Sequence, residues 1–381
     1  MDFTKVTNLM ESLKEVGVPG AELAIYIKDK EVYRHRTGYA NLESKTPIAA
    51  DTLYPFYSMT KIITCVSAMR LYEEGRFILS DPLSDYLPEF KDMEVQHTHK
   101  NGSVTTTPAK NPIRIVDLFT MSSGLTYNRT PNLIKLGEET QDNYTLEEFS
   151  KAIAKDPLYF EPGTHYHYGF SHDILGRLIE VLSGKTLGTY FKDNIFTPLG
   201  MEDTFFIVPK EKQNRFVTCY TYDSNEKKHS VTASDTLPLR FLDPKFKFEM
   251  GGGGLVSTID DYAKFAITLC EGGTHPSSKY RLLSKATIDL MRTNHLDEAR
   301  LKEYQAPYAA CYGYGLGVRT MIDPAGGGSN SPEGFGWSGL AGTHVRMDPS
   351  TGLTFVYAQQ LIPSNEGNIY PRLRNVIYGC L

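Results

Sequence analysis

A chain of 381 residues with 40% hydrophobic and 22% charged side chains has ordinary globular usage, which excludes the disordered and fibrous classes. That length suits one large domain or two, and a net charge of −5 without a basic half leaves no electrostatic footprint for nucleic-acid binding. The five cysteines are far apart and contain no Cys-x-x-Cys pair, which excludes a zinc knuckle or dithiol redox motif.

The chain begins Met1-Asp2-Phe3-Thr4-Lys5-Val6, without the apolar core and small-residue cleavage site of a secretory leader, and no 18-residue apolar run follows. A cytoplasmic protein with no membrane partner is expected. Phe3, Val6, Leu9, Met10 and Leu13 recur at helical spacing. Ala21–Ile27 and Glu31–Thr37 read as a strand pair around the polar Lys28-Asp29-Lys30 turn. Ile62–Glu74 is a helix pattern that stops at Gly75. Further helices are predicted at Ile115–Met121, Leu146–Lys155 and Ser171–Leu182, with Gln96–Lys110 and Asp323–Glu333 read as loops. Near the end, Thr343–Met347 and Leu353–Tyr357 alternate around Asp348-Pro349-Ser350-Thr351-Gly352, and Ile369–Tyr378 closes the chain as a helix. Strands and a helix at both ends predict one antiparallel sheet built by the two termini. Residues 76–204 read as a mostly helical domain inserted in an α/β domain formed by 1–75 and 205–381.

Three places have side chains suited to chemistry. In Ser58-Met59-Thr60-Lys61 the serine and lysine fall on one helix face, within reach for the amine to take the hydroxyl proton. A serine at a helix start also reads as an N-cap. Ser224-Asn225-Glu226-Lys227 has the same spacing but lies in a charged, unframed stretch and reads as a solvated loop. Tyr168 stands on a short loop just before a helix, where a phenol near a cation becomes a proton shuttle; as one of 24 tyrosines, it also reads as a packed aromatic. His165 and His167 lack a carboxylate or cysteine at ligand spacing, so no metal or other cofactor is expected. Finally, Gly334-Phe335-Gly336-Trp337-Ser338-Gly339-Leu340 precedes a strand, where a backbone N–H can join that of Ser58 as an oxyanion hole, or merely form a glycine-rich turn. A Gly-x-Ser-x-Gly elbow is absent, and Gly251-Gly252-Gly253-Gly254 lacks the Lys-Ser/Thr of a phosphate loop and reads as a tight turn.

In this order, with Asp117-Leu118-Phe119-Thr120-Met121-Ser122-Ser123-Gly124-Leu125, Pro198-Leu199-Gly200-Met201-Glu202-Asp203-Thr204 and Tyr312-Gly313-Tyr314-Gly315-Leu316-Gly317, nearly the whole chain resembles the β-lactamase-like serine hydrolases. That superfamily holds class C β-lactamases, D-peptidases and family VIII carboxylesterases. The resemblance implies an antiparallel sheet flanked by helices with a helical domain. It also implies Ser58 as nucleophile, Lys61 and Tyr168 sharing the general base and acid roles, and an oxyanion hole from the N–H groups of Ser58 and Leu340. Trp337-Ser338-Gly339 falls where the lactamases carry Lys-Thr-Gly, and Tyr168-Gly169-Phe170 where they carry Tyr-x-Asn. Trp337 for a cation and Phe170 for an amide each remove a charged or polar contact, the former worth roughly 1.5–3 kcal/mol. Both changes favour neutral esters over β-lactams and peptide C-termini, so the expected partner is a small-molecule ester and the expected activity that of an esterase. An acyltransferase using the same acyl-Ser58, a β-lactamase or D-peptidase, and a non-catalytic binding member of the fold are the alternatives.

Overall fold

The computed structural model describes residues 1–232, 240–308, 311–326, 331 and 333–381. Its centre is an eight-stranded sheet in which every neighbouring pair is antiparallel. In chain order the strands are β1 (Gly20–Ile27), β2 (Lys30–Asn41), β3 (Thr46–Pro47), β4 (Tyr312–Tyr314), β5 (Arg319–Met321), β6 (Phe335–Ser338), β7 (His344–Asp348) and β8 (Leu353–Gln359). Their spatial order is β4-β5-β6-β7-β8-β1-β2-β3, so the first strand pairs with the last, Leu23 opposite Tyr357 and Ile25 opposite Phe355. The expected joining of the two termini in one sheet is therefore found.

Both faces of β1 and β8 are buried, and the alternation of side chains sorts two cores. Leu23, Ile25, Phe355 and Tyr357 pack with Val6, Met10, Leu373 and Ile377 of the terminal helices α1 (Thr4–Ser12) and α5 (Glu366–Tyr378). Ala24 and Val356 face the other way, toward Ala263 and Ile267 of α4 (Ile259–Cys270). Behind that layer α2 (Thr60–Glu73) packs on α3 (Ser171–Ser183). From Thr60 to Met69 every residue of α2 is buried, the polar Thr60, Lys61, Thr64 and Ser67 included. The element starting at Thr60 rather than Ile62 brings Lys61 inside the helix.

One sequence expectation does not hold. Gln96–Lys110 is not a loop: Glu94–Thr98 and Val104–Pro108 form an exposed antiparallel hairpin. β-Branched Val104 to Thr107 favour extended backbone, Gly102 turns the chain at φ 82°, and His97 and His99 bond across to Thr107 and Thr105 at 2.8 and 2.9 Å. Of the loop expected at 323–333, residues 327–330 and 332 lie outside the described residues.

Candidate active site

Ser58 lies on a single helical turn, Tyr57–Met59, that feeds α2. Tyr57 sits in left-handed backbone at φ 44°, a conformation that costs a non-glycine residue about 1–3 kcal/mol and persists only where surroundings enforce it. They do so here: Phe56 N–H donates to Leu255 O at 2.9 Å, and Tyr262 O–H donates to Met59 O at 2.8 Å. The serine does not cap α2, whose N-terminus has no side-chain cap bond. Its hydroxyl instead faces Lys61, with Nζ 3.3 Å from Oγ.

The Lys61 side chain is fully buried and held from two further directions. Nζ is 2.9 Å from the Tyr127 hydroxyl and donates to the carbonyl of Gly252. The N–H of that same glycine donates to Asp173 Oδ1 at 2.9 Å, so one peptide links a buried carboxyl to the amine. Burial pushes the Asp173 carboxyl up to about 6, while attraction to Lys61 and the Gly252 N–H pull it back. A methyl on Gly252 would lie 2.6 Å from Asp173 Oδ2, so the link requires glycine.

Tyr168 reaches Ser58 from the loop before α3. Lys61 Nζ is 4.6 Å from its ring centroid, and the Trp337 indole N–H donates to its hydroxyl at 3.2 Å. Burial pushes the Tyr168 phenol well up, and hydrogen bonds to Ser58 and Trp337 offset part of this. Trp337 is buried and stacks on Tyr168, centroids 5.8 Å apart at 25°. Beyond it, Ser338 Oγ shares a hydrogen bond of 3.0 Å with His344 Nδ1. Gly339 N–H donates to Thr343 O at 2.8 Å, leaving Leu340 exposed at the cavity mouth. Among the described residues neither the Ser58 nor the Leu340 N–H has a backbone acceptor, as an oxyanion site needs.

These groups surround a cavity of about 190 Å³ walled by Ser58, Tyr168, Trp337, Leu340, Arg319 and Glu366. Larger clefts of about 560 and 650 Å³ elsewhere contain none of the groups above. Phe170 does not line the cavity: it is buried edge-on beneath Tyr127, centroids 4.7 Å apart, and beside Phe149. Nor is the cavity without a cation, as Trp337 in place of lysine had suggested. Arg319 reaches it from β5 with its guanidinium carbon 5.1 Å from the indole centroid. Tyr127, Gly252, Asp173, Arg319 and Glu366 are the neighbours that sequence reasoning missed. Ser224, the decoy of the same spacing, is on the exposed turn of the hairpin Tyr220–Asp223/Lys228–Val231. No group of three His, Cys, Asp or Glu side chains among the described residues is placed to hold a metal, and none of the described helices is long and apolar enough to cross a membrane.

Comparison with known proteins adds a lineage to this geometry. The Beta-lactamase family model matches residues 5–375. Protein Rv1367c of Mycobacterium tuberculosis is 31% identical over 353 residues, covering 90% of this chain and 86% of that protein. Esterase EstB of Burkholderia gladioli is 26% identical, covering 97% of this chain and 93% of its own. Among solved structures, that of EstCE1, described as a hydrolase with promiscuous acyltransferase activity, superposes with a TM-score of 0.83 at 23% identity over 99% of this chain and 98% of that one.

Proposed function

The chain belongs to the beta-lactamase family, a family of serine hydrolases, and from that premise we propose that it cleaves neutral carboxylic esters through an acyl-Ser58 intermediate. The observation that carries this reading is that Ser58 and Tyr168 line one cavity while the buried Lys61 sets its Nζ 3.3 Å from Ser58 Oγ. The Tyr127 hydroxyl and the Gly252 carbonyl hold the Lys61 amine from two directions, which leaves its remaining side facing the serine hydroxyl.

In the reaction, Ser58 Oγ attacks the ester carbonyl carbon and passes its proton to Lys61. The carbonyl oxygen gathers charge between the Ser58 and Leu340 N–H groups. The raised phenol of Tyr168 keeps its proton at neutral pH, so it can hand that proton to the departing alkoxide as the ester C–O bond breaks, and regain one from Lys61. Water then enters, gives up a proton along the same route, and releases the acid from Ser58. Neutral substrates are supported by the cavity's own charges: one guanidinium and one carboxylate offer an anionic substrate no net attraction, and stripping its hydration is expensive.

Intact mass after incubation with a fluorophosphonate tests the reading. A single adduct mapped to Ser58, with hydrolysis of short-chain esters abolished in Ser58→Ala, is the expected result. An adduct on Ser171, Ser224 or Ser338 removes it, and turnover of penicillin G equal to that of neutral esters removes the ester specificity.

A further inference from the structure

We propose that the leaving-group side of the Ser58 cavity is built for a small hydroxylated alcohol, so that the substrates are esters of polyols. The inference rests on the reading of Ser58 as the acylated nucleophile. If Tyr168 protonates the departing oxygen, the leaving group lies on the Tyr168 and Trp337 side of Ser58, and that side carries the cavity's remaining polar groups.

Glu366, on the first turn of α5, is half-buried and lines this side. Among the described residues its carboxylate has no hydrogen bond and no ion pair. The hydroxyl of the buried Ser364 lines the same side and also lacks a protein partner among the described residues. Arg319, seated over the Trp337 and Tyr312 rings at 5.1 and 5.3 Å, presents its guanidinium to the same space. A carboxylate, a hydroxyl and a guanidinium therefore face one cavity of about 190 Å³, well below the ~300–1,000 Å³ of pockets for drug-sized ligands.

The chemistry of this wall discriminates among small alcohols. An alkyl group entering would displace water from Glu366 and Ser364 and return no hydrogen bond, which leaves buried polar groups unsatisfied. A carboxylate-bearing alcohol would meet Glu366, and a cationic one would meet Arg319. An alcohol with adjacent hydroxyls donates to the carboxylate and accepts from the guanidinium, and it adds no net charge to a wall that has none. Its carbon skeleton can lie against Trp337.

The test compares four butyrate esters with one acyl group and different alcohols: propyl, 2,3-dihydroxypropyl, 2-(trimethylammonio)ethyl and carboxymethyl. We expect kcat/KM for the dihydroxypropyl ester to exceed that for propyl by about tenfold, the lower end for hydrogen bonding to a charged group, with the two charged esters slower than both. In Glu366→Met that ratio should fall toward one, with Glu366→Gln intermediate because its amide oxygen still accepts. Ser364→Ala supplies a second, smaller change should Glu366→Met fail to fold. A propyl ester cleaved as fast as the dihydroxypropyl ester, a charged ester preferred, or a ratio unmoved in both Glu366→Met and Ser364→Ala overturns the proposal while leaving Ser58 chemistry intact. Cleavage of none of the four, with no fluorophosphonate adduct on Ser58, removes the hydrolase reading and this inference together.

Discussion

At the scale of single residues, the restraint on Lys61 decides how its neighbours should respond to substitution. Two hydrogen bonds besides that to Ser58 fix its amine, and one of them joins it to Tyr127, whose ring also packs edge-on against Tyr168 at 5.6 Å. Lys61→Ala and Tyr168→Phe should each lower kcat by orders of magnitude, and the double variant should be little worse than either, because groups in one proton relay are strongly non-additive. Independent multiplicative losses would show two separate roles. Tyr127→Phe should cost less, about tenfold in kcat with little change in KM, as expected for loss of one positioning hydrogen bond. Asp173 supplies a pH signature. Its folded pKa of about 6 lies above the ordinary 3.8, so the native state holds its proton more tightly. The stability it contributes is present below about pH 4 and is lost as the pH rises through 6. The excess of the wild-type Tm over that of Asp173→Asn should shrink across that interval and then stay level. An excess that grows from pH 4 to 6 would show the carboxyl to be stabilised as an anion. The nearness of Ser58 and Lys61 was legible because it is local, three residues apart across a helical turn and the start of α2. Tyr127 was not: it stands 66 residues from Lys61, one of 24 tyrosines, and only the tertiary fold selects it.

Among the elements, the ones read well are those whose periodicity and turn chemistry agree. The hairpin at each end was visible in alternation and in the Lys28-Asp29-Lys30 and Asp348–Gly352 turns, and β1 and β8 pair as expected. The hairpin at 94–108 was missed because its strands carry one valine each among Glu, Gln, His, Thr and Pro, so hydrophobic alternation had almost nothing to report. The glycine run at 251–254 was read as a turn, and its role beside α2 went unseen, since a backbone carbonyl leaves no mark in side-chain pattern. That role predicts a substitution effect. Gly252→Ala sets a methyl 2.6 Å from Asp173 Oδ2 and 3.2 Å from its Cγ in a closed space. The peptide must move, and with it the carbonyl that holds Lys61. We expect kcat/KM to fall by about tenfold or more, as small displacements of reacting groups do, while secondary structure by circular dichroism is unchanged. Activity within twofold of the wild type would mean that the amine does not depend on this carbonyl.

Across the whole molecule, the site draws Ser58 from the turn before α2, Lys61 from α2 itself, Tyr127 and Tyr168 from the middle of the chain, and Arg319, Trp337 and Glu366 from its last quarter. No contiguous segment contains this arrangement, so partial reading from sequence is what a site of this kind permits: the local pair is visible and the long-range wall is not. The same convergence has an optical consequence. The chain contains one tryptophan, Trp337, and its indole hydrogen-bonds Tyr168 at 3.2 Å while a guanidinium rests 5.1 Å from its ring centroid. All indole emission from the protein therefore originates in the cavity wall, in contact with the Tyr168 hydroxyl. Covalent occupation of Ser58 should change the intensity or wavelength of that emission in step with the appearance of the mass adduct, and Ser58→Ala should show no such change. The protein thus carries an intrinsic fluorophore for following acylation and deacylation in a stopped-flow instrument, without label or chromogenic leaving group, on esters of any alcohol.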